Sequence, residues 1–272
     1  MSTTDRDPAS PVLRGPGVPA PAARMRSLAA VLHAELLKVV TVRSQCLALA
    51  AMFAATTGFS VLLCATLGPG TTRAPEFDPV RASFLGLGFG QIAAICFGAL
   101  AVAGEYGGGA IRVSLAAVPR RRLFYTGKLA VVGLLALATG LATAAVCLAA
   151  GQAALGSAGV DLLARGALRA VLGCGLYLAL VALLSGGLAA LLRSAPATMG
   201  LLIPLLLLLS FVLGDVAEGG GWIDFLPDRA GQQILLRRPQ GPLGPWTGMG
   251  VLVLWTAAAV WAGGRRLERA DA

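Results

Sequence analysis

The sequence predicts an all-α integral membrane protein, with six transmembrane helices preceded by an amphipathic interfacial helix. Two observations lead to this prediction. The chain has 272 residues, of which 57% are hydrophobic and only 13% charged, whereas an average soluble domain carries about 25% charged residues. Six stretches of 19–23 residues contain no Asp, Glu, Lys or Arg, and about 20 apolar residues are enough for a helix to cross the hydrocarbon core.

Residues 1–25 differ in composition from the rest of the chain. They are rich in Pro, Ala, Ser and Gly and contain no apolar core, whereas a secretory signal needs an apolar stretch of about 7–15 residues. We therefore interpret residues 1–25 as a disordered cytoplasmic tail.

Residues 26–44 are predicted to form the amphipathic interfacial helix. Its apolar residues recur at helical spacing; they are Leu28, Val31, Leu32, Leu36, Val39 and Val40. Glu35 falls within this apolar stripe, so its carboxylate needs a partner, which we expect among the basic residues of the next inner loop. The helix is interpreted either as a membrane-surface anchor or as a binding surface for another protein.

Residues 45–264 are predicted to hold the membrane domain. Its spans are 45–67, 84–104, 129–150, 170–192, 196–214 and 245–263. Only residues 193–195 separate the fourth span from the fifth, which predicts a tight antiparallel hairpin. Pro204 lies within the fifth span and should kink it. Residues 265–272 are predicted to be a second cytoplasmic tail.

Lys and Arg residues are distributed unevenly between the two sides of the predicted membrane domain. If the N-terminus is inside, the inner segments hold fifteen basic and six acidic residues, and the outer segments hold seven of each. The inner face therefore carries the whole net charge of +9. Because Lys and Arg concentrate in cytoplasmic segments, we expect cytoplasmic termini in the plasma (inner) membrane. Topology accounts for the basic charge, so nucleic-acid binding is not indicated.

The residue patterns do not favour catalysis, a metal site or ion-coupled transport. His33 is the only His in the chain, which excludes an HExxH metalloprotease. The cysteines form no CxxC pair and are interpreted as small buried hydrophobes; they are Cys46, Cys64, Cys96, Cys147 and Cys174. The predicted spans carry no charge, whereas proton- and ion-coupled carriers need ionisable groups within the bilayer.

The segment between the second and third spans contains more than an ordinary positive-inside loop requires. Glu105 and Tyr106 end an apolar helix, and Gly107–Gly109 allow a sharp backbone turn. Residues 110–118 then have the pattern of a short helix, which Pro119 and three Arg residues close. Charges on both sides of a short apolar helix suit docking onto a soluble protein.

This segment resembles the first inner loop of type-2 ATP-binding-cassette (ABC) transporter permeases. The string EYGGGAIRVSLAAVPRRR, followed by Lys128, is similar to that family's Glu-Tyr, Gly, Ile/Thr-Arg, small-residue helix, Pro and Arg. AELLKVVTVRS resembles the family's opening, FLPDRAGQQIL its last outer loop, and LGPWTGMGVLVLWTAAAVWAGGRRLERADA its ending. The chain departs from the family at Gly107 and Gly108, where larger polar residues are frequent.

The resemblance implies that residues 45–264 are a permease domain forming half of a transport pore. Two such permeases, identical or different, form a dimer and dock on separate ATPase subunits, which bind the ATP. No cofactor is then expected on this chain, and it contains no Gly-x-x-x-x-Gly-Lys-Ser/Thr phosphate loop. The residues implied to couple to the ATPase are Glu35, Lys38, Arg43, Glu105, Tyr106, Gly109, Arg112, Pro119 and Arg120. The outer loop is implied to dip into the membrane edge.

Few polar side chains fall within the spans. Gln91, Thr139 and Thr143 are candidates for the substrate path, although such groups also form hydrogen bonds between helices. Gly86, Gly88 and Gly90 are predicted to allow close packing at a dimer interface. Apolar walls favour a hydrophobic or amphiphilic substrate, such as a drug, an antibiotic or a lipid-like molecule, and the resemblance implies export. A non-transporting membrane anchor or sensor with a similar fold stays open as the alternative.

Overall fold

The computed structural model describes residues 21–106, 121–161, 164, 166–209, 221–237 and 241–269. Within these ranges the regular structure is entirely helical and no strand occurs. The all-α class predicted from the sequence is therefore confirmed for this part of the chain. Four predicted coupling residues lie outside the described ranges; they are Gly109, Arg112, Pro119 and Arg120.

The described residues form ten α-helices, several extended by tighter or wider turns. The helices are α1 (Pro21–Thr41), α2 (Arg43–Thr66), α3 (Pro69–Thr72), α4 (Pro79–Ala82), α5 (Leu87–Ala103), α6 (Arg121–Leu155), α7 (Ala167–Leu192), α8 (Ala195–Ile203), α9 (Pro227–Gln232) and α10 (Pro245–Arg269). A π-helix, Pro204–Leu209, continues α8. The 3₁₀ helices are Gly156–Ala158, Trp222–Phe225 and Gln233–Leu235. Helix α1 begins at Pro21, five residues before the predicted start.

Four of the described helices are long and apolar enough to cross a membrane. They are α2, α6 with the turn that follows it, α7 and α10. Two shorter apolar helices, Leu87–Ala103 and Ala195–Leu207, occupy the positions of the second and fifth predicted spans. The lengths and compositions of these helices are those of a membrane-embedded protein.

Helix α7 lies at the centre of the bundle. In its apolar stretch 67% of the residues are buried, compared with 22% in α2. Tyr177, Leu178 and Val181 are fully enclosed, and Ser185 Oγ donates a hydrogen bond of 2.7 Å to the Ile95 carbonyl oxygen on α5. A helix that is apolar on all sides is buried by its neighbours rather than exposed to lipid.

Short connections and a proline shape the α7–α8 region. Helix α7 ends at Leu192 and α8 starts at Ala195, so the connection is as tight as predicted. Arg193 has a φ of 56°, and Ser194 Oγ accepts a hydrogen bond from the Ala197 amide at the start of α8. The π-helix begins at Pro204, because proline lacks the amide hydrogen that an α-helix needs there.

The bundle has two distinct ends. We call the one that holds α1 and the first turns of α6 the α1 end. At the opposite end, Gln152 Nε2 donates hydrogen bonds to the Pro79 carbonyl oxygen at 2.7 Å and to Ser83 Oγ at 2.8 Å. The Arg237 amide donates to Asp78 Oδ2 at 2.8 Å. These contacts fasten α4 to α6 and to the segment that follows α9.

Two of the glycines assigned to a dimer interface instead bring two helices of the same chain together. A Cβ atom on Gly86 would lie 2.4 Å from the Thr56 carbonyl oxygen, and one on Gly90 would lie 1.9 Å from Thr56 Oγ1. The prediction was therefore wrong for Gly86 and Gly90, since α2 already occupies the space beside them. Gly88 faces Leu207, with 3.7 Å between its hypothetical Cβ and Leu207 Cδ2.

The segment before α10, residues 222–235, folds into short helices and packs against the bundle; we call it the buried hairpin. Ala230 and Ile234 are fully enclosed and Leu235 is 5% exposed. A Cβ atom on Gly248 of α10 would lie 2.1 Å from the Ala230 carbonyl oxygen. Residues 222–235 of the predicted outer loop are thus ordered and lie against α10, with close approach of the two backbones at Gly248 and Ala230.

Gly248→Ala should destabilise the protein by about 1–3 kcal/mol, because the new methyl group meets a backbone carbonyl that cannot rotate away. Gly250→Ala, two residues along the same helix, is the matched control, because no atom lies within 4 Å of its hypothetical Cβ. It should be neutral or stabilise by up to about 1 kcal/mol through helix propensity. Thermal unfolding in detergent measures both, and equal midpoints would contradict the close packing of the hairpin.

Candidate functional site

Four charged side chains meet at the α1 end, and we call them the charge cluster: Glu35, Lys38, Glu105 and Lys128. Lys128 Nζ lies 2.5 Å from Glu35 Oε2 and 2.9 Å from Glu105 Oε1. Lys38 Nζ lies 2.9 Å from Glu35 Oε1 and 3.1 Å from Glu105 Oε1. Each ammonium group therefore bridges both carboxylates, and the cluster is neutral.

Three members of the charge cluster are removed from water. The side chains of Glu35, Lys128 and Glu105 are 5%, 6% and 10% exposed, while that of Lys38 is 40% exposed. Burial lowers the pKa of Lys38, but hydrogen bonds to Glu35 and Glu105 and their charges outweigh burial and raise it above its ordinary value. Desolvated charges of this kind are stable only while each keeps its partner.

The phenyl ring of Phe124 lies beside both ammonium groups. The ring centroid is 5.6 Å from Lys38 Nζ and 5.7 Å from Lys128 Nζ, within the range of a cation–π interaction. One turn further along α6, a Cβ atom on Gly127 would lie 2.8 Å from Val31 Cγ1. Helix α1 therefore packs directly against α6, and both its charged residues and its apolar side contact that helix.

The charge cluster joins residues that are far apart in the sequence. Glu35 and Lys38 lie on α1, Glu105 follows the end of α5, and Lys128 lies in the second turn of α6. Residues 106–127 connect Glu105 to Lys128, so both borders of the predicted coupling loop are tied to α1. The partner expected for Glu35 is thus Lys128, together with Lys38 of its own helix.

The other described coupling residues lie around the charge cluster. Arg43 is exposed at the first position of α2. Tyr106 is half-buried, with the Arg193 guanidinium carbon 5.6 Å from its ring centroid. Burial raises the pKa of Tyr106 above its ordinary value, although Arg193 and Arg266 act in the opposite direction. The phenol is therefore neutral at physiological pH and available as a hydrogen-bond donor.

The first turns of α6 are also fastened to the end of α10. Arg122 forms an ion pair with Glu268, in which Nη2 lies 3.2 Å from Oε2. Arg121 Nη1 donates to the Leu267 carbonyl oxygen at 3.1 Å, and Tyr125 Oη donates to that of Val260 at 3.0 Å. Sequence reasoning did not identify these contacts, because nothing in the pattern pairs the start of one span with the end of another.

A second polar group lies deep in the bundle, and we call it the polar triad: Gln91, Tyr177 and Gln232. Tyr177 Oη donates to Gln91 Oε1 at 2.6 Å, and Gln232 Nε2 approaches Tyr177 Oη at 3.2 Å. Gln91 is fully buried. The triad therefore connects α5, α7 and the buried hairpin through side-chain hydrogen bonds alone.

The two threonines proposed for the substrate path lie apart from the polar triad. Thr143 Oγ1 donates to the Thr139 carbonyl oxygen of its own helix at 2.7 Å. Thr143 is fully buried, and Thr139 is partly exposed. Their part in a substrate path stays a prediction. Tyr177 and Gln232 were not identified from the sequence. The only signal at Tyr177 was a polar side chain in an otherwise apolar span, and Gln232 lies in the predicted outer loop.

Comparisons with family models and with curated proteins give the same result. No protein-family model matches the chain, and no curated protein matches it. The charge cluster and the polar triad are therefore the features from which its function has to be inferred.

Proposed function

We propose that the chain is the membrane-spanning permease subunit of an ABC transporter, driven by a separate ATPase subunit. It works as a dimer, with an identical or a different permease, and exports a hydrophobic or amphiphilic molecule. Helix α1 lies in the membrane interface, and six helices cross the plasma membrane with both termini in the cytoplasm. ATP is bound by the partner subunit and not by this chain.

The charge cluster is the observation that carries this proposal. Glu105 and Lys128 border the loop that resembles the ATPase-docking segment, and both contact Glu35 of α1 or its neighbour Lys38. A force applied to that loop therefore reaches α1, α5 and α6 together, because the ion pairs are short and enclosed. Such a connection suits a subunit whose spans are moved from the cytoplasmic side.

The remaining described charges agree with the proposed orientation. At the α1 end, Arg residues such as Arg122, Arg193 and Arg265 outnumber the acidic residues that lie outside the charge cluster. At the opposite end, the Arg residues are balanced by Asp and Glu, as in the pair of Arg229 with Asp224. An excess of Lys and Arg is typical of cytoplasmic segments. This distribution supports the proposal that the α1 end faces the cytoplasm and that the buried hairpin faces the outer leaflet.

Transport follows from a two-state rearrangement of the spans. ATP binding closes the ATPase dimer, and the closed dimer favours one arrangement of the docked loops over the other. A ligand shifts such an equilibrium only by its difference in affinity for the two states. The first turns of α6 are bonded to α1 and to the end of α10. The loop and the spans therefore change state together rather than separately.

The proposal predicts that Arg43→Gln weakens ATPase coupling without affecting folding. Arg43 is exposed at the α1 end, and an exposed ion pair to the ATPase would contribute up to about 1 kcal/mol, or about fivefold in affinity. Arg73→Gln is the matched control, because Arg73 is exposed at the opposite end.

The measurement is co-purification of the ATPase in mild detergent, followed by ATP-dependent efflux from proteoliposomes. Wild-type protein and Arg73→Gln should retain the ATPase and transport equally, while Arg43→Gln should do both less well. A correctly inserted wild-type chain that captures no ATPase and transports nothing would overturn the proposal. It would favour the membrane anchor or sensor instead.

A further inference from the structure

A cavity of about 880 Å³ lies between α5, the π-helix after α8 and the buried hairpin. Its volume is within the range of about 300–1,000 Å³ that is usual for small-molecule sites. Much of its wall is apolar and includes Phe84, Leu87, Leu206, Leu207 and Leu235. Gln91 and Gln232 of the polar triad also line it.

Gln91 places an unused hydrogen-bonding group at this cavity. Its side chain is fully buried, and Tyr177 Oη bonds to its Oε1. Among the described residues, Gln91 Nε2 has no hydrogen-bond partner. A buried donor left without an acceptor destabilises the folded protein, so such groups are rare unless a ligand or water meets them.

The charges in the cavity wall balance. Arg81 and Arg229 are opposed by Asp224 and Asp228, and Arg229 Nη1 lies 4.0 Å from Asp224 Oδ1. A cation or an anion entering this space would meet as much repulsion as attraction and would also lose its hydration. The wall therefore favours a molecule without net charge.

A second cavity, of about 920 Å³, adjoins the first. The two share Arg81, Leu85 and Leu236 in their walls. The second cavity also contacts Pro75 and Glu76, which are exposed at the end opposite to α1. The second cavity thus lies beside the first and extends to exposed residues at that end of the protein.

We propose that the first cavity is the ligand-binding site of this chain, and that its ligand is an uncharged, mainly apolar molecule with a ketone, ester or amide oxygen. That oxygen accepts the hydrogen bond from Gln91 Nε2, and Leu206 and Leu207 cover the apolar body. The inference rests on the proposed transport function and adds the chemical class of its substrate.

Benzophenone is a suitable probe, because it is neutral and apolar, carries one ketone oxygen, and forms a covalent bond with nearby C–H groups under ultraviolet light. Wild-type permease in lipid nanodiscs should be labelled at Leu87, Leu206 or Leu207, as located by mass spectrometry. Gln91→Leu should reduce this labelling about three- to tenfold, the effect of one hydrogen bond. Gln45→Leu, another buried Gln but at the α1 end, should leave the labelling unchanged.

A second variant tests the site without touching its polar group. Gly88→Leu should fill the cavity and abolish labelling, since its Cβ would make only ordinary contact with Leu207. Gly200→Leu, where no atom lies within 4 Å of the added Cβ, should label as the wild type does. Thermal unfolding in detergent checks that each variant is folded.

The outcomes separate the binding site from the transport function. Labelling that Gln91→Leu and Gly88→Leu both reduce supports the site, even if no ATPase or transport is found and the permease proposal falls. Absent wild-type labelling at these leucines, or equal labelling in every variant, overturns the site. If neither Gln91→Leu nor Gly88→Leu impairs efflux, the first cavity is not the substrate site, and the transport proposal is unaffected.

Discussion

Lys128→Met is expected to lower the free energy of unfolding by about 3–5 kcal/mol, the cost of leaving a buried charge without its partner. Removing the ammonium group leaves Glu35 and Glu105 with Lys38 alone, and both carboxylates are almost inaccessible to water. Met preserves most of the side-chain length, so the loss is electrostatic rather than a matter of volume. Thermal or denaturant unfolding in detergent measures it.

A double-mutant cycle shows whether the effect comes from the charge cluster. Glu35→Gln alone leaves one net positive charge and should also destabilise, while Glu35→Gln with Lys128→Met restores neutrality through the Glu105–Lys38 pair. The free energy of unfolding of the double variant should therefore exceed, by about 1–3 kcal/mol, the value expected if the losses of the two single variants were additive. Strictly additive effects would mean that Glu35 and Lys128 do not interact.

Glu268→Gln is the matched control for an ion pair at the same end of the bundle. Glu268 pairs with Arg122, whose side chain is 83% exposed, and such exposed pairs contribute little to stability. Its unfolding midpoint should stay close to that of the wild type. If Glu268→Gln lost as much stability as Lys128→Met, solvent exposure would not explain the difference expected between the Arg122–Glu268 pair and the charge cluster.

Gly98→Ala is expected to have the second large effect, a destabilisation of about 1–3 kcal/mol. A Cβ atom at Gly98 would lie 2.0 Å from the Ala182 carbonyl oxygen, so α5 and α7 would have to move apart. That movement would also stretch the Ser185–Ile95 hydrogen bond. In a membrane, close helix contact of this kind provides much of the association energy.

Gly58→Ala in α2 provides the comparison for Gly98→Ala. No atom lies within 4 Å of a Cβ atom at Gly58, so the substitution should be neutral or slightly stabilising. Unfolding in detergent, and the fraction of protein that stays monodisperse, measure both variants. An unchanged midpoint for Gly98→Ala would contradict the close α5–α7 contact.

The positions of the apolar helices could be predicted because absence of charge over about 20 residues is a local property of the sequence. The lengths of these helices were harder to predict. Helix α6 includes Arg121 and Arg122, ahead of the predicted start at residue 129, and both residues bond to the end of α10. Helix α5 ends at Ala103, and its first turns are held by α2 through Gly90.

The candidate sites were predictable only where a single residue violated its local pattern. Glu35 broke an apolar stripe, and that conflict indicated a buried partner without identifying Lys128. Tyr177 and Gln232 broke no pattern, because a lone polar side chain is common in a membrane helix, as at Tyr177, and polar side chains are usual in a loop, as at Gln232. Their contact with Gln91 depends on how the hairpin folds back, which is a property of long-range packing.

The charge cluster also sets an order in which the protein can be assembled during synthesis. Glu35 leaves the ribosome about 90 residues before Lys128, its enclosed partner. At roughly 5–20 residues per second, the α1 carboxylate waits about 5–20 s for that lysine. Until α6 has been synthesised, α1 lacks the helix against which it packs. Its docking is thus a late event that follows the synthesis of α2, α5 and α6.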